Sequence, residues 1–223
     1  MREGGLDQRL MRFVLEMRQA GVTAPKVLSA MERTPRAAFA PEHMAALALD
    51  DVNLPLPCGQ TMTKPSLVGR MVSALNLSGA ERVLEIGCGS GYQTAVIAQI
   101  AAKVTGVDRH ARLVTDARAA LGKLRLDPAQ THLGDGRQGW PGAAPYDRII
   151  VNGALSAVPQ ALLAQAAPGA LILAPQQGAA GVRLMLWAVG SEGGLGPVQD
   201  LGPVEFAPLS EGPVLPGEEC SGP

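Results

Sequence analysis

Arg82-Val83-Leu84-Glu85-Ile86-Gly87-Cys88-Gly89-Ser90-Gly91-Tyr92-Gln93-Thr94 decides the fold. Val83 to Ile86 is a short apolar run of the kind that makes a buried parallel strand, and Thr94 to Ala102 is apolar and alanine-rich enough for a helix. Between them, three glycines at alternate positions let the backbone turn tightly and approach a ligand closely, where a Cβ would collide. The helix that follows points its unsatisfied N–H groups at the same crevice. Strand, glycine turn and helix in this order make a nucleotide-type cofactor loop.

Spacing narrows the cofactor. A dinucleotide fingerprint reads G-x-G-x-x-G, whereas Gly87-x-Gly89-x-Gly91 misplaces the third glycine for pyrophosphate. Glu85, at the carboxyl end of the strand, repels a phosphate and attracts a sulfonium or an ammonium group. S-adenosyl-L-methionine carries both. Lys103 to Val107 reads as the next strand and ends at Asp108, roughly 20 residues past the loop, where a carboxylate can accept both ribose hydroxyls. A dinucleotide site and an unliganded strand–turn–helix are the competing readings.

Working outward, the 223 residues are 47% hydrophobic with a net charge of −1, enough for one sizeable α/β core. That near-neutral balance, with only 3% aromatic residues, argues against a nucleic-acid surface. Cys58, Cys88 and Cys220 form no CxxC and no paired spacing with histidine, so neither a disulfide framework nor a metal site is expected. Met1 to Arg12 carries charges throughout, unlike a signal peptide, and no apolar run approaches about 18 residues. A cytoplasmic protein, with a monomer favoured, is the expectation.

Upstream of the loop, apolar residues at helical spacing mark helices over Asp7–Ala20 and Pro25–Arg33, with a shorter one over Pro41–Leu49. Leu54 to Pro65 is too rich in proline, glycine and polar groups to be regular, yet it leads straight into a helix over Ser66–Leu75. A long ordered loop beside a cofactor turn is either a substrate element or a connector in which Thr63 or Ser66 caps the next helix. Downstream, helix and strand alternate: Ala111–Leu124 helical, Ala129–Leu133 and Asp147–Val151 strands, Leu162–Ala166 helical, Gly169–Ala174 a strand. Leu184–Val189 and Val204–Phe206 are candidate last strands. This alternation specifies an α/β fold with a mostly parallel sheet covered on both faces and its ligand at the carboxyl ends of the strands, where Glu85, Asp108, Asp135 and Asn152 fall. The expected organisation is a helical segment with a substrate loop over 1–78, a cofactor-binding core over 79–212 and a disordered tail over 213–223, one domain in all.

Taken together, Thr34-Pro35-Arg36, Phe39-x-Pro41-Glu42-His43, Leu54-Pro55, Gly59-Gln60-Thr61, the glycine loop with its Gly91-Tyr92-Gln93-Thr94 extension, Gly134-Asp135-Gly136 with Gly139-Trp140, and Pro145-Tyr146-Asp147-x-Ile149-Ile150-Val151 resemble the protein-L-isoaspartate O-methyltransferases over nearly the whole chain. The resemblance implies a Rossmann-like class I methyltransferase fold that transfers a methyl group from S-adenosyl-L-methionine to the free carboxylate of an isoaspartyl residue, leaving S-adenosyl-L-homocysteine. By match of position, Glu85, Gly87 and Gly89 would line the methionine part of the cofactor, Asp108 the ribose, and Asp135 with Gly136 the adenine, with Ser90, Gln93 and Arg109 also toward the cofactor. Thr63 would be the catalytic position, with Gln60, Thr61, Met62, Asn152 and Arg183 toward the substrate.

The departures from the family pattern cluster on the substrate side. Thr63 stands where serine is usual, Asn152-Gly153-Ala154-Leu155 replaces a Thr-Ala-Ala-Pro type of run, Pro175-Gln176-Gln177 lacks a Pro-Val-Gly turn, and Arg183 stands where glutamine is usual. Threonine keeps the hydroxyl but restricts its rotamers, and Arg183, if it faces the site, adds a planar cation suited to a carboxylate. Besides isoaspartyl repair, two readings follow from these departures: a same-fold carboxylate methyltransferase with another peptide or small-molecule acceptor, and a cofactor-binding module without turnover.

Overall fold

A computed structural model describes residues 3–214; the tail expected over 213–223 lies outside them from Leu215 on, and Val214, expected in it, donates its N–H to Arg109 C=O. The chain opens with helices α1 (Glu3–Gln19) and α2 (Pro25–Arg33), then 3-10 turns at Arg36–Ala38 and Glu42–Leu47. Short strands β1 (Leu54–Pro55) and β2 (Thr61–Met62) precede α3 (Pro65–Ala74). Next come β3 (Arg82–Ile86), α4 (Tyr92–Ala98), β4 (Lys103–Asp108), α5 (Ala111–Lys123) and β5 (Ala129–Leu133). After β6 (Tyr146–Val151) and α6 (Gln160–Leu163), the strands β7 (Ala166–Gly178), β8 (Gly181–Val189) and β9 (Leu195–Pro203) form a meander.

The main sheet has the order β5-β4-β3-β6-β7-β8-β9. Its first five strands are parallel, and β8 and β9 add antiparallel. The chain steps outward from β3 through β4 to β5, then returns to lay β6 on the other side of β3. That reversal opens a crevice between the carboxyl ends of β3 and β6, the place where open α/β sheets bind ligands.

Alternation along β3 divides the core. Val83 enters the apolar cluster shared with α1 to α4, whereas Leu84 and Ile86 enter the cluster on the opposite face with Tyr146, Leu162 and Trp187. Glu85 therefore faces the side of α4. The helices α1 to α3 belong to the same cluster as α4, and Gly69 lets α3 approach closely: a Cβ there would lie 2.6 Å from Val22 Cγ2. Ile97 and Met71 are fully buried in this cluster, so truncating either to alanine costs about 2–5 kcal/mol.

Four expectations need correction. The 41–49 helix is the 3-10 turn Glu42–Leu47, and the segment expected to be irregular pairs as the β1–β2 hairpin, Leu54 opposite Met62. The helix over Leu162–Ala166 is the shorter α6, because Ala166 already starts β7; Pro168 and Gly169 lie inside that strand at a register shift opposite Tyr146–Arg148, where a bulge tolerates proline and a φ of 78° at Gly169. The last strand is Leu195–Pro203 rather than Val204–Phe206, since a tight turn closed by Gly190 N–H donating to Gly194 C=O lets the chain re-enter the sheet sooner.

Candidate active site

The crevice is a cavity of about 890 Å³ whose two walls come from different parts of the chain. The first wall is the β3–α4 turn. Gly87, Gly89 and Gly91 have φ of 75°, 53° and 84°, a left-handed path that side chains with a Cβ rarely follow. Gly87 N–H and Cys88 N–H donate to Val107 C=O, tying the turn to β4. Asp108 completes it: Oδ2 accepts from Gly89 N–H at 2.8 Å and Oδ1 from His110 N–H at 3.0 Å. Each carboxylate oxygen keeps a lone pair for a further donor from the cavity.

Below the turn lies a polar cluster. Glu85 is fully buried; its Oε2 accepts from Thr94 Oγ1 at 2.5 Å, and its Oε1 from Gln93 Nε2 and Asn152 Nδ2 at 3.1 Å each. Gln93 Nε2 also donates to Asn152 Oδ1, and Asn152 Nδ2 to Gly87 C=O. Burial pushes the Glu85 carboxyl up to about 8 despite these donors, which favour its ionised form. A cation brought beside it would restore the charge.

The second wall is the loop from Asn53 to Lys64. Gln60, Thr61, Met62, Thr63 and Lys64 all border the cavity. The hairpin closes through Leu56 N–H donating to Gln60 C=O, with Cys58 and Gly59 at positive φ in its tip. Gln60 Nε2 turns back to Cys58 C=O, and Met62 is buried in the core, so Thr61, Thr63 and Lys64 border the cavity with polar side chains not drawn into the hairpin itself. The start of α3 is capped neither by Thr63 nor by Ser66. Asp51 does it from 15 residues upstream, accepting from Ser66 N–H at 2.8 Å and Ser66 Oγ at 2.7 Å.

Of the residues singled out from sequence, Gln60, Thr61, Met62, Thr63, Glu85, Gly87, Gly89, Ser90, Gln93, Asp108 and Asn152 border this one cavity. Arg183 does not. Strand alternation that sends Val182 to the cavity sends Arg183 to the other face, where its Nε pairs with Asp200 Oδ2 at 2.6 Å. Arg109, Asp135 and Gly136 also lie outside the cavity lining, beside a segment that crosses the strand ends after β9. Ala207 C=O accepts from Ala154 N–H, Leu209 N–H donates to Ala154 C=O, Arg137 pairs with Glu211, and Val214 N–H donates to Arg109 C=O. Asp135 Oδ1 accepts from Arg137 N–H at 2.9 Å and fixes the turn over which this segment passes. Sequence reasoning missed Asn53, at the start of the loop, and Arg70, Val182 and the wall from Pro203 to Ala207, which come from outside it without a local motif.

A sheet with this switch point, a positive-φ glycine turn, an acid at the end of β3 and another at the end of β4 define an S-adenosylmethionine-type methyltransferase. The family model described as protein-L-isoaspartate(D-aspartate) O-methyltransferase matches residues 8–213. The chain belongs to this family. It is 43% identical over 205 residues to the protein-L-isoaspartate O-methyltransferase of Paracoccus denitrificans, covering 92% of this chain and 94% of the relative. To that of Rhodospirillum rubrum it is 40% identical over 218 residues, 97% and 99% of the two chains. The fold is similar to a solved protein-L-isoaspartate O-methyltransferase with a TM-score of 0.78 at 21% identity, over 90% of this chain and 66% of that one. A Plasmodium falciparum protein of the same description, solved with S-adenosyl-L-homocysteine, gives a TM-score of 0.76 at 18% identity over 89% and 97%.

Proposed function

We propose that the cavity is where this chain methyl-esterifies the free carboxylate of L-isoaspartyl residues in damaged proteins. The chain is an O-methyltransferase of the isoaspartate family, with S-adenosyl-L-methionine as its methyl donor. The carrying observation is that the Glu85–Asp108 wall and the Gln60–Lys64 loop face the same cavity. The residues suit the donor: the glycine turn leaves backbone bare where a close approach is needed, Glu85 complements a cationic methionine end, and Asp108 keeps lone pairs for ribose hydroxyls. Asp135 and Gly136, matched by position to the adenine side, and Arg109 stand beside the segment after β9 rather than in the cavity lining. When bound, S-adenosyl-L-methionine supplies an electrophilic methyl carbon on a sulfonium.

What remains for the protein is alignment. An isoaspartyl carboxylate is already ionised at neutral pH, so no base is required. Thr63 orients the acceptor oxygen by donating a hydrogen bond, Asn152 holds Glu85 and the floor of the crevice in register, and the hairpin excludes water while oxygen and methyl carbon are brought into line. The methyl ester so formed is a better electrophile than a carboxylate. Attack by the following backbone nitrogen expels methanol and closes a succinimide, whose hydrolysis returns part of the chain to normal aspartate. We place the reaction in the cytoplasm, in a single folded domain.

The test is methyl transfer from labelled S-adenosyl-L-methionine to a short isoaspartyl peptide beside its normal aspartyl twin. Transfer to the isoaspartyl form alone is the expected result. Transfer to neither, with cofactor binding confirmed by calorimetry, would shift the acceptor to another carboxylate or leave a binding module.

A further inference from the structure

Arg36 is among the largest fully buried side chains and has no carboxylate among its hydrogen-bond partners. It sits at 1% exposure, and a charge that deep must be held by several oriented dipoles. Its fork supplies that arrangement: Nη1 donates to Ala48 C=O at 3.2 Å, and Nη2 to Val52 C=O at 3.0 Å and Thr63 C=O at 3.2 Å. The face of Tyr92 lies 5.7 Å from the guanidinium carbon. Tyr92 is the first residue of α4, directly after the glycine turn, and borders the cavity. The arginine therefore touches both walls at once.

Thr63 is fixed on either side of its Cα. Its own carbonyl is taken by Arg36, the next peptide N–H, that of Lys64, donates to Asn53 Oδ1 at 2.8 Å, and Met62 just before it is paired to Leu54. Of these restraints, Arg36 also contacts the cofactor helix, through Tyr92. We propose that Arg36 is a positioning residue for methyl transfer, setting the height of Thr63 above the cofactor wall by gripping the acceptor loop at Ala48, Val52 and Thr63 and resting on Tyr92. This rests on the reading of the Gln60–Lys64 loop as the acceptor wall. Lysine cannot substitute, because a single ammonium on a flexible stem lacks the planar fork that reaches three carbonyls and stacks on a ring.

The experiment is a double-mutant cycle on Arg36→Lys and Thr63→Ala, with kcat for the isoaspartyl peptide, cofactor affinity by calorimetry and amide exchange measured on each full-length protein. Arg36→Lys should lower kcat by roughly fivefold to tenfold, up to what deleting the Thr63 hydroxyl costs, while cofactor affinity stays within about twofold. In the Thr63→Ala background the same change should cost less than about twofold, because there is no hydroxyl left to misplace. A purely structural role would give equal losses in both backgrounds and would overturn the proposal, as would a fall in cofactor affinity parallel to kcat. Exchange decides independently of turnover: faster exchange confined to residues 48–64 supports the clamp, and faster exchange spread through α1 and α2 overturns it. A wild-type protein inactive on isoaspartyl peptide would refute the functional reading instead, with the exchange result still judging the clamp.

Discussion

The two walls of the cavity are built on opposite principles. The cofactor wall is continuous in sequence: 13 residues from Arg82 to Thr94 carry strand, turn, acid and helix, and Asp108 locks the turn through Gly89 N–H while its other oxygen holds His110 N–H after β4. The acceptor wall is assembled from Asp51, Asn53, the β1–β2 hairpin, Val182 on β8 and the segment from Pro203 to Ala207. One is held by its own backbone path, the other by side chains that reach across from elsewhere. Changes on the first should therefore disturb cofactor affinity, and changes on the second should disturb turnover.

The largest effect expected on the first wall is from Asp108→Ala. It removes the acceptor for Gly89 N–H in the turn and His110 N–H after β4, and the proposed ribose partner, at about 1.5–3 kcal/mol for each charged hydrogen bond. Cofactor affinity measured by calorimetry should fall by about a hundredfold or more, with a smaller change in kcat at saturating cofactor. Unaltered affinity would remove the ribose assignment. Thr63→Ala should do the reverse, lowering kcat about tenfold, by one lost hydrogen bond, with cofactor affinity within about twofold. Thr63→Ser should recover most of it. If Thr63→Ala loosened the cofactor instead, the separation of the walls would break.

Glu85 offers a sharper test, since it couples stability to binding within the first wall. Its carboxyl is pushed by burial to about 8, above its unfolded value, so the folded protein holds a proton that the unfolded chain releases. The stability conferred is complete below about 4.5 and is lost as pH climbs toward about 8, after which this contribution is flat. Glu85→Gln should remove that slope, so its melting temperature should gain on the wild type across this window. Cofactor affinity should move oppositely: in the wild type it rises toward pH 8 as the carboxylate becomes available to the cationic methionine end, and in Glu85→Gln it is lower and without that rise. Parallel pH profiles for the two proteins would show that Glu85 does not face the cation.

Sequence legibility follows the same division. The glycine spacing, Glu85 and Asp108 were readable because a backbone path and a strand end impose residue types locally, and the parallel sheet followed from alternation. The acceptor wall was readable only as a loop needing a reason. Nothing near Thr63 tells that Arg36 holds its carbonyl from 27 residues away, or that Asp51 caps α3. The last strand was misplaced because Val204-Glu205-Phe206 has the apolar–polar–apolar pattern of a strand, whereas its apolar residues pack against the helical cluster and line the cavity after the sheet has ended.

Arg183 gives the smallest effect and the cleanest check on where the acceptor wall stops. From sequence it was a candidate carboxylate partner, standing where glutamine is usual. In β8 it points away from the side that presents Val182 to the cavity, and its partner Asp200 on β9 is as open to solvent as it is, each about two-fifths exposed. A pair that exposed is worth about 0–1 kcal/mol. Arg183→Gln should therefore leave kcat/KM for an isoaspartyl peptide within about twofold, because no group bordering the cavity has changed, and it should shift stability only by that small amount. Val182→Glu, one residue earlier, should depress kcat/KM through KM, since it puts a like charge beside the incoming carboxylate. If the two variants exchanged these effects, the strand would present the opposite face to the cavity, and the arginine would rejoin the acceptor wall.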